Sequence, residues 1–187
     1  MSDVKRMHET LSRALPDIPL EVESAQAGMS WIHVPAEHIA AVIGHLRHTE
    51  GFDYLACLTG IDTGEELQIA YTLRSLPDKT ECALKISLPR DEAVVPTISH
   101  LYGVADWFER EVFDLYGVHF DGHPDLRRIM MPDDWEGHPL RKDYVFPSEY
   151  HGISAERPDP HDLLDPEYEA CAVDPAPKSD SKEGSTS

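Results

Sequence analysis

Val4, Met7, His8, Leu11, Ala14 and Leu15 recur at three- and four-residue intervals. That spacing predicts an amphipathic helix, with Ser2 or Asp3 able to cap it and Pro16 ending it. A hairpin is expected next, from a strand about Leu20 to Ala25, a turn near Gly28 and a second strand from Met29 to Val34. Ile39, Val42, Ile43 and Leu46 then line one face of a helix from about Ala36 to His48, closed by Gly51. Tyr54 to Thr59 is an almost unbroken apolar run, the pattern of a strand buried on both faces. Leu67, Ile69, Tyr71 and Leu73 alternate with Gln68, Ala70, Thr72 and Arg74, and Cys82, Leu84, Ile86 and Leu88 alternate with Ala83, Lys85 and Ser87. Period two with one apolar side predicts half-buried antiparallel strands. Thr63-Gly64 and Pro77-Asp78 supply turns. Thr97 reads as the cap of a short helix that Gly103 breaks, and a stronger helix runs from Ala105 to Tyr116 with Gly117 as its stop.

The resulting order, α-β-β-α-β-β-β-α, contains no repeated strand–helix crossover, so a doubly wound parallel sheet is disfavoured. The expected fold is α+β, a two-layer domain with helices on one face of a mixed β-sheet, followed by an extended C-terminal segment. The expected division is an α+β domain over 1–118, a Gly/Pro/Arg-rich docking segment over 119–150, and an acidic tail over 151–187 that is disordered or partner-bound.

Charge narrows the function classes. The formal net charge of the 187 residues is −19, which argues against a nucleic-acid binder, since such a protein needs a basic stripe to displace counterions. The start of the chain lacks the apolar stretch of a signal peptide, and no apolar run is long enough for a membrane span. The three cysteines, Cys57, Cys82 and Cys171, form no Cys-x-x-Cys pair. An iron–sulfur or structural zinc site made by this chain alone is therefore not expected. Cys57 and Cys82 lie in apolar runs and read as buried small hydrophobes.

Eleven histidines invite a metal reading. His119 and His123 are four apart, but Gly122 and Pro124 break the helix that would aim both rings one way. His33 and His38 straddle Pro35, and His45 and His48 have no third ligand near in sequence. No HExxH, phosphate loop, dinucleotide fingerprint, Gly-x-Ser-x-Gly or haem-attachment motif occurs. Neither a catalytic centre nor a bound cofactor or metal is expected.

The most distinctive stretch is Glu109 to Tyr144. Gly-His-Pro occurs twice in it, at 122–124 and 137–139, each time after an acidic residue and before a Leu and a basic pair. In the preceding helix Glu109, Arg110, Glu111 and Asp114 interleave with Trp107, Phe108, Phe113 and Tyr116. Glu111 and Asp114 share a face, and Arg110 and Asp114 stand at pairing distance. Charges among aromatics on all sides point to burial against both a sheet and a partner. Arg127, Arg128, Trp135, Arg141, Tyr144 and Phe146 have the composition of an interface.

Glu109-Arg110-Glu111, Asp114-Leu115-Tyr116, His123, Arg127 and Ile129-Met130, at these spacings, resemble the signature of the 30 kDa subunit family of respiratory complex I, the bacterial NADH:quinone oxidoreductase. The run from Leu126 to Tyr144 is similar to that family as well, and Asp53 to Asp62 less specifically. The resemblance implies a scaffold subunit of the hydrophilic arm, peripheral and on the cytoplasmic side of a bacterial membrane. It implies docking onto the 49 kDa-type quinone-site subunit, with iron–sulfur subunits nearby. FMN, iron–sulfur clusters and quinone would be held by other subunits of the hetero-oligomer. In this reading Glu109, Arg110, Glu111 and Asp114 lock the helix to the following loop. Arg127, Arg128, Arg141 and Lys142 reach the neighbouring subunit, with Trp135, Asp143 and Tyr144 in the same interface and His123 and His138 as turn and packing residues. Related membrane-bound hydrogenases and other complex-I-like enzymes, which carry similar subunits, are the alternative. A free-standing metal enzyme built on His119, His123 and His138 and a soluble adaptor are more distant ones.

Overall fold

The computed structural model describes residues 3–24 and 29–154; Gly28 and the expected tail after residue 154 lie outside them. Helix α1 spans Asp3–Ala14, strands β1 and β2 span Glu21–Glu23 and Trp31–His33, and a 3-10 turn at Ala36–His38 leads into α2, Ile39–His48. Strands β3 (Tyr54–Asp62), β4 (Leu67–Ser75) and β5 (Thr80–Leu88) follow. The five strands form one sheet in the order β1-β2-β5-β4-β3, antiparallel throughout except for the parallel β2–β5 pair. This is the α+β mixed sheet that the periodicity predicts.

The alternation in β4 and β5 sets the layers. Leu67, Ile69, Tyr71 and Leu73, with Cys82, Leu84, Ile86 and Leu88, are buried on one face. They share a core with Met7 and Leu11 of α1 and Ile39, Val42, Ile43 and Leu46 of α2. A one-residue slip of register would turn each apolar set to solvent, so the core fixes the pairing.

Strand β3 differs from expectation: it is the edge of the sheet, not a strand buried on both faces. Leu55, Leu58 and Gly60 face inward, whereas Tyr54, Cys57, Thr59 and Ile61 are exposed. A bulge between Leu55 and Cys57 places two inward leucines three residues apart and erases the period-two signature. Cys57 is consequently exposed, contrary to its reading as a buried hydrophobe, while Cys82 is buried and burial pushes its thiol up to about 12.

The segment after Pro96 is not a helix. Val94–Pro96 forms β6, which pairs in parallel with β7, His119–Asp121, and helix α3, Ala105–Tyr116, connects the two. Thr97 does cap, but it caps a turn: its hydroxyl accepts the Ser99 N–H at 3.1 Å. Contacts divide the chain into one unit of residues 1–145 and another from Phe146 onward. Among the described residues the latter holds a short hairpin of β8, Glu149–Tyr150, and β9, Ile153–Ser154.

Candidate functional site: a helix strapped by its own loop

Helix α3 carries three charged residues sealed from water: Glu109, Arg110 and Asp114. Each has a different set of partners. Asp114 holds the chain after Gly117, and Glu109 holds the chain before the helix.

Asp114 is the anchor of the following loop. Its Oδ2 accepts backbone N–H groups from Ile129, Met130 and Met131 at 3.0, 2.7 and 2.9 Å, and its Oδ1 accepts Arg128 Nη1 at 2.7 Å. Three successive amides converging on one oxygen make an anion cradle whose anion is a side chain of the same protein. Burial raises the carboxyl pKa, but the three amides and the Arg128 guanidinium outweigh it and hold it below the ordinary value.

The C-terminal end of α3 is then roofed. Its last carbonyls lack intrahelical partners, and the loop supplies them. His138 Nδ1 lies 2.8 Å from the Asp114 carbonyl, the Leu140 N–H donates to Leu115 at 3.1 Å, and Arg141 Nε donates to Tyr116 at 2.7 Å. Arg128 Nη2 also donates to the Gly137 carbonyl at 3.0 Å. Gly117 makes the approach possible. It ends the helix at φ +74°, and a Cβ there would stand 2.5 Å from the His138 ring. Burial lowers the His138 pKa, with Arg141 and Arg128 adding to that and the carbonyl contact opposing it.

The far end of the loop is tied to the β3–β4 turn. Asp62 accepts the Gly64 and Lys142 N–H groups at 2.8 Å each and pairs with Arg90, which also reaches Asp143 at 2.6 Å. Lys142 Nζ donates to the Thr63 carbonyl at 3.0 Å. Burial raises the Asp62 pKa, but these donors outweigh it and keep the carboxyl ionised below its usual range.

Glu109 faces the other way, into the core. It accepts the Ile98 N–H at 2.7 Å and the Thr97 hydroxyl at 2.5 Å. It thereby ties α3 to the chain before it, a correction to the expectation that it locks the loop after it. Burial pushes its carboxyl up to about 7 against the pull of those two donors. His123, its side chain fully buried, lies 3.8 Å from Glu109 Oε2 and 3.0 Å from Asp106 Oδ1. Its Nδ1 accepts the Asp125 N–H at 3.0 Å, so the ring proton sits on Nε2, facing Asp106.

The remaining expected pairings differ as well. Arg110 does not pair with Asp114. Its nearest carboxylate is Asp106, one turn earlier, at 3.4 Å. Glu111 is exposed rather than buried against the loop. Arg128, Arg141 and Lys142, expected to reach a neighbouring subunit, make their hydrogen bonds within this chain. Arg127 is the outward one: its side chain is 66% exposed and pairs with Asp125 at 2.9 Å. Trp135 is half-buried, and the Tyr144 hydroxyl donates to the Glu136 carbonyl at 3.2 Å. Asp62, Arg90, Thr97 and Asp106 are site residues that sequence reasoning misses. Asp62-Thr-Gly64 carries the signal of a side-chain-capped turn, and Arg90 carries none. Among the described residues no three His, Cys, Asp or Glu side chains converge as a metal site, and no helix is long and apolar enough to cross a membrane.

Fold and strap together define a two-layer α+β domain whose last helix is wrapped by its own downstream loop. Residues 32–150 match the family model described as the respiratory-chain NADH dehydrogenase 30 kDa subunit. The chain belongs to that family. It is 41% identical over 149 residues to the corresponding NADH-quinone oxidoreductase subunit of Trichlorobacter lovleyi, covering 77% of this chain and 91% of that one. The corresponding subunit of Chloroherpeton thalassium is 45% identical over 104 residues, which are 54% of this chain and 43% of that protein. Among solved structures, a trypsin-resistant fragment of Nqo5 superposes with a TM-score of 0.55 at 32% identity, covering 65% of this chain and 98% of the fragment. A chain of an archaeal membrane-bound sulfane sulfur reductase superposes with a TM-score of 0.64 at 25% identity, covering 75% of this chain and 85% of that one. The chain is thus a homologue of the 30 kDa-type subunits of NADH-quinone oxidoreductases.

Proposed function

We propose that this chain is a scaffold subunit in the hydrophilic arm of a proton-translocating NADH:quinone oxidoreductase, on the cytoplasmic side of the membrane. It docks the quinone-site subunit and performs no chemistry itself. FMN, iron–sulfur clusters and quinone belong to other subunits. The Asp114 cradle carries this reading. It converts an Arg- and Gly-rich loop, which is entropically unfavourable to order, into a fixed surface that presents Arg127 and Met130, 66% and 61% exposed, outward. A loop held in advance removes part of the ordering penalty of association. Family membership supports the identity of the complex. The likeness to a sulfane sulfur reductase chain supports a second reading, an equivalent place in another complex-I-like enzyme. The 41% identity to the Trichlorobacter lovleyi subunit favours the first.

The test is Arg127→Ala in the native complex. Incorporation of the chain should fall, while NADH:quinone turnover per assembled complex stays at the wild-type level. Full assembly with lost quinone reduction would overturn the scaffold reading and give the loop a part in the chemistry.

A further inference from the structure

Thr97 holds one hydroxyl proton between two acceptors. Its Oγ1 stands 2.5 Å from Glu109 Oε2 on the inner side and 2.9 Å from Ser99 Oγ on the outer side. It also accepts the Ser99 N–H at 3.1 Å. A hydroxyl has a single hydrogen to give, so it cannot donate to both oxygens at once. One of the two must donate to it. When Thr97 donates to Glu109, Ser99 donates to Thr97. When Thr97 donates to Ser99, Glu109 is the donor and is therefore a neutral acid. The two hydrogen-bond patterns are two protonation states of one carboxyl, and they differ only in which way the hydroxyls point.

The three oxygens run from the interior to the surface. Glu109 is completely buried, Thr97 is 7% exposed and Ser99 is half-buried. The other groups around the carboxyl offer no such exit. The Ile98 N–H donates to Oε1 as a backbone amide. His123 Nε2 is 3.8 Å from Oε2, beyond hydrogen-bond reach, and its Nδ1 is taken by the Asp125 N–H. On α3 itself, Asp106 faces His123, and Arg110 turns toward Asp106 and the Trp107 ring. Tyr71 of β4 is sealed in the core, where burial and the Glu109 charge hold its phenol well above the ordinary range.

We propose that Glu109 is a buried proton-binding site that exchanges its proton with solvent through Thr97 and Ser99. On release, Glu109 passes its proton to Thr97 Oγ1, Thr97 passes its own to Ser99 Oγ, and Ser99 passes its own to water. Each hydroxyl takes one proton and gives one, the carboxyl is left as the anion, and water leaves as hydronium. Uptake runs the same steps backward. The transfer itself reverses the hydroxyls, so the new carboxylate is received by two donors, Thr97 and the Ile98 N–H. That is what allows a charge to form in a sealed place. Burial pushes the carboxyl up to about 7 against those two donors, so both states are populated near neutral pH. The site stands whether or not the chain sits in a complex.

The experiment is infrared difference spectroscopy of the full-length chain, following the C=O stretch of the protonated carboxyl that Glu109→Gln removes. Transfer into D2O at about pH 6, where the acid form prevails, shifts that band as the proton is replaced by a deuteron. Wild type and Thr97→Ser should exchange at the same rate. Thr97→Val and Ser99→Ala should exchange roughly tenfold or more slowly, because exchange then waits for local opening. Thr97→Val should also raise the pH midpoint of the band, since the lost hydroxyl favours the ionised form. A spectrum with no band that Glu109→Gln removes, from about pH 5 to about pH 9, overturns the site. Wild-type exchange rates in Thr97→Val or Ser99→Ala overturn the path. If Thr97→Val does not fold, Ser99→Ala decides alone, since its half-buried side chain lies outside the core.

Discussion

Replacing Asp114 by alanine should release the loop while leaving the sheet in place. The carboxylate is completely buried and receives four hydrogen bonds, three from consecutive amides and one from Arg128. Removing one partner of a buried ionic pair costs about 3–5 kcal/mol. The three amides and the guanidinium recover part of that by taking up water when the loop opens, so the figure bounds the closed state. Asparagine should do little better. With its oxygen toward the amides, its NH2 faces Arg128 Nη1 at the 2.7 Å donor position; with the amide reversed, it faces three N–H groups. The assay is amide exchange at Ile129, Met130 and Met131. At about 1.4 kcal/mol per tenfold, a loss of 3–5 kcal/mol predicts exchange faster by roughly two to four orders of magnitude. Amides in β4 and β5 should keep their protection. Exchange at residues 129–131 within a few-fold of wild type would refute the cradle as the element that holds the loop.

Three further outcomes follow from the same geometry. Glu109 binds its proton more tightly folded than unfolded, with a pKa of about 7 against 4.5. Its stabilising effect is full below the unfolded value and is lost as pH rises through 7, a difference of about 3 kcal/mol. Asp62 and Asp114 act oppositely: their lowered values stabilise above the ordinary carboxylate range and lose that effect in acid. Urea midpoints should therefore fall from about pH 5 to about pH 8, and Glu109→Gln should abolish most of that slope. Gly117→Ala should destabilise by roughly 2–4 kcal/mol in urea titration, because the left-handed backbone and the His138 ring both oppose a Cβ. In a Cys171→Ser background, Cys57 should react with a maleimide in the native protein and Cys82 only after denaturation, which mass spectrometry resolves.

The layers of this fold are legible because β4 and β5 keep strict alternation, and the helices keep their stripes. What is not legible depends on single irregularities. The bulge at Ala56 hides the phase of β3 and makes an edge strand read as a central one. The β6–β7 pair is three residues long on each side, too short for periodicity to register. In the site, the sequence marks the right helix and loop but not their wiring. Spacing pairs Arg110 with Asp114, yet the loop's amides and Arg128, 14 to 17 residues further on, claim that carboxylate. Two of the donors to Asp62 are backbone N–H groups and its side-chain partner Arg90 lies in no motif with it, so Asp62 reads only as part of a turn. The basic residues read as outward because arginines are mostly exposed; the carbonyls at the end of α3 turn Arg128 and Arg141 inward.

Whether this strapped domain serves as a docking subunit is decided by native mass spectrometry of the membrane-extracted assembly, purified through a tag on this chain. The expected outcome is a single large complex holding one copy of this chain with a quinone-site subunit and iron–sulfur subunits, active in NADH:quinone turnover. Recovery of the chain alone, or with partners unrelated to an oxidoreductase, would refute the docking role.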